Sequence, residues 1–459
     1  MTSDRRNFFG TLGGGLLAAG PAQAAPAPNI IYLHSHDPGR YLSPYGYDVP
    51  TPNLKRLAGE GVLFRRAFSA APTCSPSRAS LLTGQCPHQN GMLGLAHRGF
   101  AMTDYRRHML HTLRGAGYQS VLAGLQHIAS DSKAIGFDRV ISPRSNAAAI
   151  VAPVTVEFLN SRPAGPFFLD VGFFETHREY PEPTPADDPR FIQPPTPIAD
   201  TPETRRDMAG FHASARNLDR AVGAILEAID RNGMAQNTLI ISTTDHGLPF
   251  PSMKCNLTDA GFGVSLMMRG PGVLGGGKVS EAMVSHLDIF PTLTEILGVA
   301  RPAWLEGKSL LPVLRGDVKE VNDEVFAEVN YHASYEPGRA VRTQRYKYIR
   351  RYGDRAAPVL PNCDDSPSKT LWLDSGWRQH TQPREQLYDL VFDPCERNNL
   401  AADAASAAIL RDMRARLDAW MKRTNDPLLK GPVAAPAGAK VNPVDQVSPK
   451  EPVVDASAH

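Results

Sequence analysis

Four short apolar runs, each followed at once by polar residues, constrain the fold of this chain more than any other feature. Their β-branched and aromatic side chains predict buried strands over residues 29–33, 120–125, 167–174 and 238–243. The segment 206–232 carries apolar residues at helical spacing, which predicts a helix before the last of these strands. Strands that alternate with helices predict a mixed α/β sheet with helices on both faces.

Titratable residues follow the end of each predicted strand. In an open α/β sheet, ligands bind beyond the carboxyl ends of the strands, so we expect these residues to lie close together. Taken one at a time, each is typical of a polar turn or of a structural histidine. The residues are His36 and Asp37 after the first strand, His127 after the second, His177 after the third, and Asp245 and His246 after the fourth.

Residues 74–84, CSPSRASLLTG, place a cysteine, a proline, a serine and an arginine ahead of an apolar run. Because proline is tolerated in the first turn of a helix, this pattern predicts a short helix that begins near Pro76. The start of a helix has unpaired N–H groups and can hold an anion, and Arg78 in the first turn could reach the same place. A reactive group at Cys74 would then lie over an anion site. A buried cysteine at a loop-to-helix junction is the ordinary alternative.

This segment resembles the signature of the type I sulfatases, Cys-x-Pro-Ser-Arg followed by Thr-Gly. The matching positions are Cys74, Pro76, Ser77, Arg78, Thr83 and Gly84. The continuation His88-Gln89-Asn90-Gly91-Met92 resembles one branch of that family, the heparan N-sulfatases or sulfamidases. The resemblance implies an alkaline-phosphatase-like fold with a smaller antiparallel C-terminal α+β domain. It also implies that a formylglycine-generating enzyme converts Cys74 to formylglycine, whose hydrated aldehyde is the nucleophile.

The resemblance further assigns roles to residues outside the signature. It implies a catalytic set of Cys74, Arg78, His127, His177 and Lys254. It implies one divalent metal, calcium, held by His36, Asp37, Asp245 and His246 together with the group at Cys74. Two imidazoles with two carboxylates would also suit manganese or zinc. For a sulfated saccharide substrate it implies contacts from Glu328, Asn330 and His332, which share one face of a predicted strand.

Two positions depart from the family pattern, and they leave more than one reaction type possible. His36 stands where the family has an aspartate, and Leu125 replaces the lysine of the family's Gly-Lys-x-His segment. The resemblance to sulfamidases predicts hydrolysis of sulfate from N-sulfoglucosamine. The alternatives are an O-sulfated sugar, a phosphonate or phosphate ester, and a binding protein without catalysis.

The first 24 residues are typical of a twin-arginine export signal. Arg5-Arg6 precedes a glycine-rich apolar run at 10–20, and Ala22-Gln23-Ala24 offers a small-x-small cleavage site. The apolar run is far shorter than the ~20 residues that a membrane-spanning helix needs, as is every other apolar run in the chain. We therefore expect a periplasmic or secreted protein without a membrane span.

The rest of the chain divides into a catalytic domain at 27–310, a C-terminal substrate-contacting domain at 311–430 and a tail at 431–459. The tail is rich in proline, alanine, valine and lysine, which predicts disorder. The chain has 49 basic and 47 acidic residues, a balance that argues against nucleic acid as a partner. Five cysteines leave at least one unpaired. A Cys363–Cys395 pair and the oligomeric state stay open.

Overall fold

The computed structural model describes Met1, residues 27–142 and residues 145–456. In these residues the strands are β1 Asn29–Ser35, β2 Val62–Phe68, β3 Gln119–Gly124, β4 Arg139–Val140, β5 Phe167–Gly172, β6 Thr238–Thr244, β7 Gly263–Val264, β8 Leu266–Arg269, β9 Lys278–Ser285, β10 Glu324–Tyr331, β11 Tyr335–Thr343, β12 Tyr346–Arg351, β13 Glu385–Asp389, β14 Lys440–Val441 and β15 Val454–Asp455. The α-helices are α1 Pro52–Glu60, α2 Cys74–Thr83, α3 Pro87–Asn90, α4 Met109–Gly115, α5 Ala148–Asn160, α6 Pro202–Arg231, α7 Asp259–Phe262, α8 Ile289–Leu297, α9 Leu311–Arg315, α10 Pro367–Asp374 and α11 Ala407–Arg423. Apart from Met1, the predicted export signal lies outside the described residues.

The larger sheet has the strand order β4-β3-β5-β1-β6-β8-β2-β7, and β9 pairs with β2. Strands β3, β5, β1 and β6 run parallel, whereas β8 is antiparallel to β6. Ile30 and Ile31, neighbours in β1, are fully buried in two different apolar clusters. Because successive side chains of a strand point to opposite faces, the sheet is covered on both faces. The predicted mixed α/β sheet is confirmed.

The four predicted strands are β1, β3, β5 and β6, with ends shifted by one or two residues. The predicted helix is α6, which begins four residues earlier than expected because Thr201 and Thr204 form a reciprocal cap and Pro202 opens the first turn. Since the four strands are parallel neighbours, their carboxyl ends meet at one edge of the sheet. That edge is where the titratable residues gather.

A second sheet, with the order β10-β11-β12-β13, is antiparallel throughout. Helix α11 covers it and buries Leu417 and Trp420 against Tyr348 and Leu387. On the other side, Phe68 and Phe262 of the first sheet region share one apolar cluster with residues of the second sheet. The predicted smaller antiparallel C-terminal unit is confirmed, and a common core joins it to the larger sheet.

The predicted disordered tail is wrong for residues 431–456. Strands β14 and β15 pair there as a short antiparallel ladder. Asn442 is 1% exposed and accepts a hydrogen bond from Arg98 at 2.7 Å, and Lys369 donates to the carbonyl of Val447 at 2.7 Å. The proline- and alanine-rich composition cannot build a core of its own, but a few of its apolar residues pack into a core that the rest of the chain supplies.

No helix among residues 27–142 and 145–456 is both long enough and apolar enough to cross a membrane.

The five cysteines are all free thiols, with Cys363 buried and Cys395 exposed. The pair that the sequence left open is therefore not formed in this structure.

Candidate active site

The signature segment forms helix α2, in which every residue is buried. The helix begins at Cys74 itself, two residues before the predicted start, and Thr73 precedes it in an extended conformation. Gly84 ends the helix with φ at +67°, and a Cβ there would lie 2.5 Å from Leu305. Glycine is needed at this position because a side chain would meet both backbone strain and a steric clash.

Helix α2 points its first residue at the ends of β1 and β6. The Sγ atom of Cys74 lies 3.2 Å from Nε2 of His246. One ligand atom from each of His36, Asp37, Cys74 and Asp245 lies within 4.8 Å of all the others. The predicted metal-binding residues are therefore brought together around Cys74.

The polar atoms of this group fit a divalent cation. Nδ1 of His36 and Oδ1 of Asp37 are buried and form no well-aligned hydrogen bond with the described residues, although they lie 3.1 Å from Oδ2 of Asp245 and 3.3 Å from Nε2 of His246, respectively. Buried polar atoms of this kind are costly unless something binds them. Burial favours the neutral acid, yet the Lys254 ammonium lowers the pKa of Asp37 and the Arg78 guanidinium lowers that of Asp245, both well below the ordinary value. Two ionised carboxylates and two imidazoles form a donor set that suits a divalent metal.

Arg78 lies beside the same group and is 2% exposed. It donates to Oδ2 of Asp245 and to the carbonyl of Ser35, both at 2.9 Å, and contacts Nδ1 of His34. His34 in turn lies 2.8 Å from Asp170. Sequence reasoning missed His34 as a support for Arg78, because alternation along β1 does not say which inward side chain meets the signature helix.

Lys254 donates to Oδ2 of Asp37 and to Oδ2 of Asp364, both at 2.9 Å, and its Nζ lies 3.4 Å from Nε2 of His177. The side chain of His177 is 24% exposed, whereas Asp37 is fully buried. His177 therefore faces the solvent side of the group. Asp364 was missed by sequence reasoning, because it belongs to the connection between β12 and β13 and carries no motif.

His127 shares a hydrogen bond of 3.0 Å with His97, and the two rings stack. One nitrogen of His127 also lies within 4.8 Å of ligand atoms of His36 and Cys74. Burial, together with the nearby His36 and Arg78, lowers the pKa of His127 well below its ordinary value. The imidazole is thus neutral near pH 7 and can accept a proton. His97 is a further residue that the sequence did not single out.

The predicted sugar-holding set is split by the structure. His332 is 5% exposed and lies close enough to Lys254 for that cation to depress its pKa, although burial depresses it more. Glu328 instead accepts hydrogen bonds from His88 and from Asn330. Only His332, which follows the end of β10, lies toward the active site, and Glu328 and Asn330 belong to a separate buried cluster.

Comparison with known proteins places this arrangement in a family. Residues 28–299, more than half of the chain, match the family model described as Sulfatase. The chain belongs to the sulfatase family. This sulfatase is accordingly a hydrolase of sulfate esters or sulfamates, and residues 253–370 also match the model described as N-sulphoglucosamine sulphohydrolase, C-terminal. Sulfatases generally use a metal ion and a formylglycine residue, and Cys74 with its neighbouring donor set fits both.

The sulfatase resembles curated proteins along most of its length. It is 30% identical over 477 residues to N-sulphoglucosamine sulphohydrolase of Homo sapiens, a match that covers 91% of this chain and 94% of that protein. It is also 30% identical over 459 residues to an ulvan-active sulfatase of Formosa agariphila, covering 94% and 88%. A structure solved in complex with D-glucosamine-2-N,6-O-disulfate shares the fold, with a TM-score of 0.68 and 20% identity over 87% of this chain and 98% of that one.

Proposed function

We propose that this sulfatase hydrolyses the sulfamate of N-sulfoglucosamine in heparan-type saccharides. The observation that carries the proposal is the position of His177, an imidazole open to solvent that lies with Asp37 and Asp364 within 4.8 Å. An amine leaving group becomes a cation once it is protonated, and neighbouring carboxylates stabilise a cation. The identity to the human N-sulphoglucosamine sulphohydrolase supports the same substrate.

Arg78 and Lys254 are the proposed sulfate-binding cations. His36, Asp37, Asp245 and His246 would hold the proposed calcium beside position 74, where it would lower the pKa of the nucleophilic hydroxyl that a hydrated formylglycine would supply. The partial charge at the start of α2 contributes at most about 1 kcal/mol, so the two side-chain cations supply most of the protein's own stabilisation of the sulfate oxygens.

Two histidines move the protons in the proposed reaction. His177 gives a proton to the leaving nitrogen or oxygen, because it faces the side from which a saccharide can approach. His127, neutral at pH 7, would take the proton of the second hydroxyl at position 74 while the carbon–oxygen bond to sulfate breaks and the aldehyde re-forms. His97 holds the ring of His127 in place, and His332 is the proposed sugar contact.

His177→Ala is expected to lower kcat on N-sulfoglucosamine by roughly 10²–10⁴, the usual contribution of a general acid. The loss is smaller on an aryl sulfate, because a phenolate with a low pKa leaves without a proton. Sulfate release from both substrates measures the difference. His380→Ala, an exposed histidine, serves as the control. An equal loss on both substrates would count against His177 as the acid.

Asp364→Asn tests the nitrogen leaving group directly. Asp364 also binds Lys254, a proposed sulfate-binding cation. Loss of that contact should weaken the reaction of every substrate to the same degree, because all of them carry a sulfate group. The charge beside the leaving group matters only for an amine, so kcat/KM should fall roughly 10–100-fold further for N-sulfoglucosamine than for glucosamine 6-sulfate, as expected for a charged hydrogen bond. Asp365→Asn is the matched control, since that carboxylate contacts Lys369. Equal losses would contradict the assignment.

An O-sulfated sugar is the second candidate, supported by the identity to the ulvan-active sulfatase. Sulfate release from N-sulfoglucosamine and from 6-O-sulfated glucosamine, with phosphate release from an aryl phosphate, separates the candidates. We expect the N-sulfated sugar to have the highest kcat/KM. Faster release from the O-sulfated sugar would replace the proposal, and release of phosphate alone would move the reaction to another class of ester.

The proposed site of action is the periplasm or the exterior of the cell. The paired Arg5-Arg6 and the small-x-small site at 22–24 support export by the twin-arginine pathway. That pathway carries folded proteins, which agrees with a buried Cys74 that a formylglycine-generating enzyme modifies before the chain is exported.

A further inference from the structure

We propose that Cys86, His88, Glu306 and Glu328 form a second divalent-metal site that shares no residue with the one around Cys74. The four residues lie at the start of α3, in the loop before α9 and in strand β10. Cys86 and His88 follow the signature helix after a short turn, whereas Glu328 belongs to the second sheet. A metal at this place would link the signature segment to the C-terminal sheet.

The geometry of three of the four side chains, those of Cys86, His88 and Glu328, suits tetrahedral zinc. Sγ of Cys86 lies 3.6 Å from Nδ1 and 3.5 Å from Nε2 of His88. Zinc bonds of about 2.3 Å to sulfur and about 2.0 Å to nitrogen put such ligand atoms about 3.5 Å apart. One ligand atom from each of Cys86, His88 and Glu328 lies within 4.8 Å of the others. Glu306 lies next to this group, with Oε1 accepting from the backbone N–H of Cys86 at 2.6 Å, and its carboxylate would turn toward the other three side chains to become the fourth ligand.

The charges around these residues also favour a cation. Two carboxylates and a thiol share the site, and Glu328, Cys86 and the side chain of His88 are at most 2% exposed. The nearest guanidinium, Arg339, donates twice to Asp426 at 2.5 and 2.9 Å, and its Nε also lies 3.8 Å from Oε2 of Glu328. Among residues 27–142 and 145–456, no lysine or arginine forms an ion pair with Glu306. Glu306 is therefore a half-buried carboxylate without an ion pair in the described part of the chain, which is costly, and a divalent ion would offset that cost.

Zinc is the cation that this ligand set favours, because a thiolate and an imidazole are softer ligands than those that calcium prefers. A cavity of about 430 Å³ is lined by Cys86, Gln89 and Glu306 and gives an ion access to the site. His88 also contacts Glu328 directly, and that contact opens to admit the metal. An ion pair between these two residues, with no metal, is the competing interpretation.

Cobalt titration of the full chain tests the site, because cobalt bound to a thiolate gives a near-ultraviolet charge-transfer band. A Cys74→Ala background removes the other thiol that lies near metal ligands. We expect the band to saturate at one cobalt per chain, to disappear in Cys86→Ser and to persist in Cys363→Ser, a matched buried thiol. Glu306→Gln, which keeps the thiol, should weaken cobalt binding at least tenfold.

Zinc supplies the second readout and does not depend on sulfate release. It should raise the melting temperature of the Cys74→Ala protein by more than that of the same protein with Cys86→Ser, in which only the donor set of His36, Asp37, Asp245 and His246 is left to bind zinc. If the Cys86→Ser protein does not fold, the affinity of the Glu306→Gln protein for cobalt tests the proposed site instead. The absence of a thiolate–cobalt band in the Cys74→Ala protein, a band that survives Cys86→Ser, or unchanged affinity in Glu306→Gln would overturn the second site.

Discussion

Cys74→Ala is expected to abolish sulfate release, with a loss on the order of 10⁶, the size seen when a covalent nucleophile is removed from a hydrolase. Burial raises the pKa of the Cys74 thiol well above its ordinary value, although Lys254 opposes this. A neutral thiol is a poor nucleophile, so an unconverted Cys74 should be inactive as well. Under the proposed mechanism, we therefore expect activity to depend on conversion of this residue to formylglycine.

The measurement combines sulfate release with mass spectrometry of the peptide that contains Cys74. Protein made with a formylglycine-generating enzyme should carry an aldehyde at position 74, and its activity should rise in proportion to the converted fraction. Cys395→Ala, which changes an exposed thiol, is expected to keep full activity. Release of sulfate by protein whose peptide is entirely unmodified would refute the proposed nucleophile.

Asp245→Ala is expected to lower the free energy of unfolding by about 3–5 kcal/mol and to abolish activity. Arg78 is buried and donates to Oδ2 of Asp245 at 2.9 Å, so removal of the carboxylate leaves a buried guanidinium without its partner. The backbone N–H groups of Asp37 and His246 also lose the Oδ1 acceptor that orders the two strand ends. The metal site should therefore be lost together with the stability.

Denaturant unfolding, metal content and sulfate release of the same preparation measure the three effects. Asp317→Ala serves as the matched control, because Asp317 is exposed and surface substitutions of this kind usually change stability by less than about 0.5 kcal/mol. If Asp245→Ala kept its bound metal and its unfolding free energy, neither the metal assignment nor the role of the Arg78 pair would stand.

Much of the active site could be anticipated because its residues follow strand ends or lie in the signature. Asp37 and Asp245 come directly after parallel neighbours in the sheet, so their proximity follows from strand order alone. Asp364 has no such cue, because it reaches Lys254 from a loop 110 residues further along the chain. Such a contact depends on how the second sheet packs against the first, which no local pattern records.

The second sheet and the tail also show contacts that no local sequence pattern predicts. Alternation along β10 put Glu328 and Asn330 on one face, but it did not say that this face is buried or that His88 donates a hydrogen bond to Glu328. Composition predicted disorder after residue 430, yet Asn442 is held by Arg98 from the catalytic region. In both cases the partner lies far away in the sequence, and the partner decides what the segment does.

The sequence by itself determined the α/β architecture, the signature helix with Cys74 and Arg78, and the strand ends that carry the titratable residues. Side-chain periodicity and short motifs suffice for these features because each depends on neighbouring residues. Only the tertiary structure decided that Lys254 lies between Asp37 and Asp364, and that His97 holds His127. Long-range packing sets those contacts, and with them the charge and protonation of the groups around Cys74.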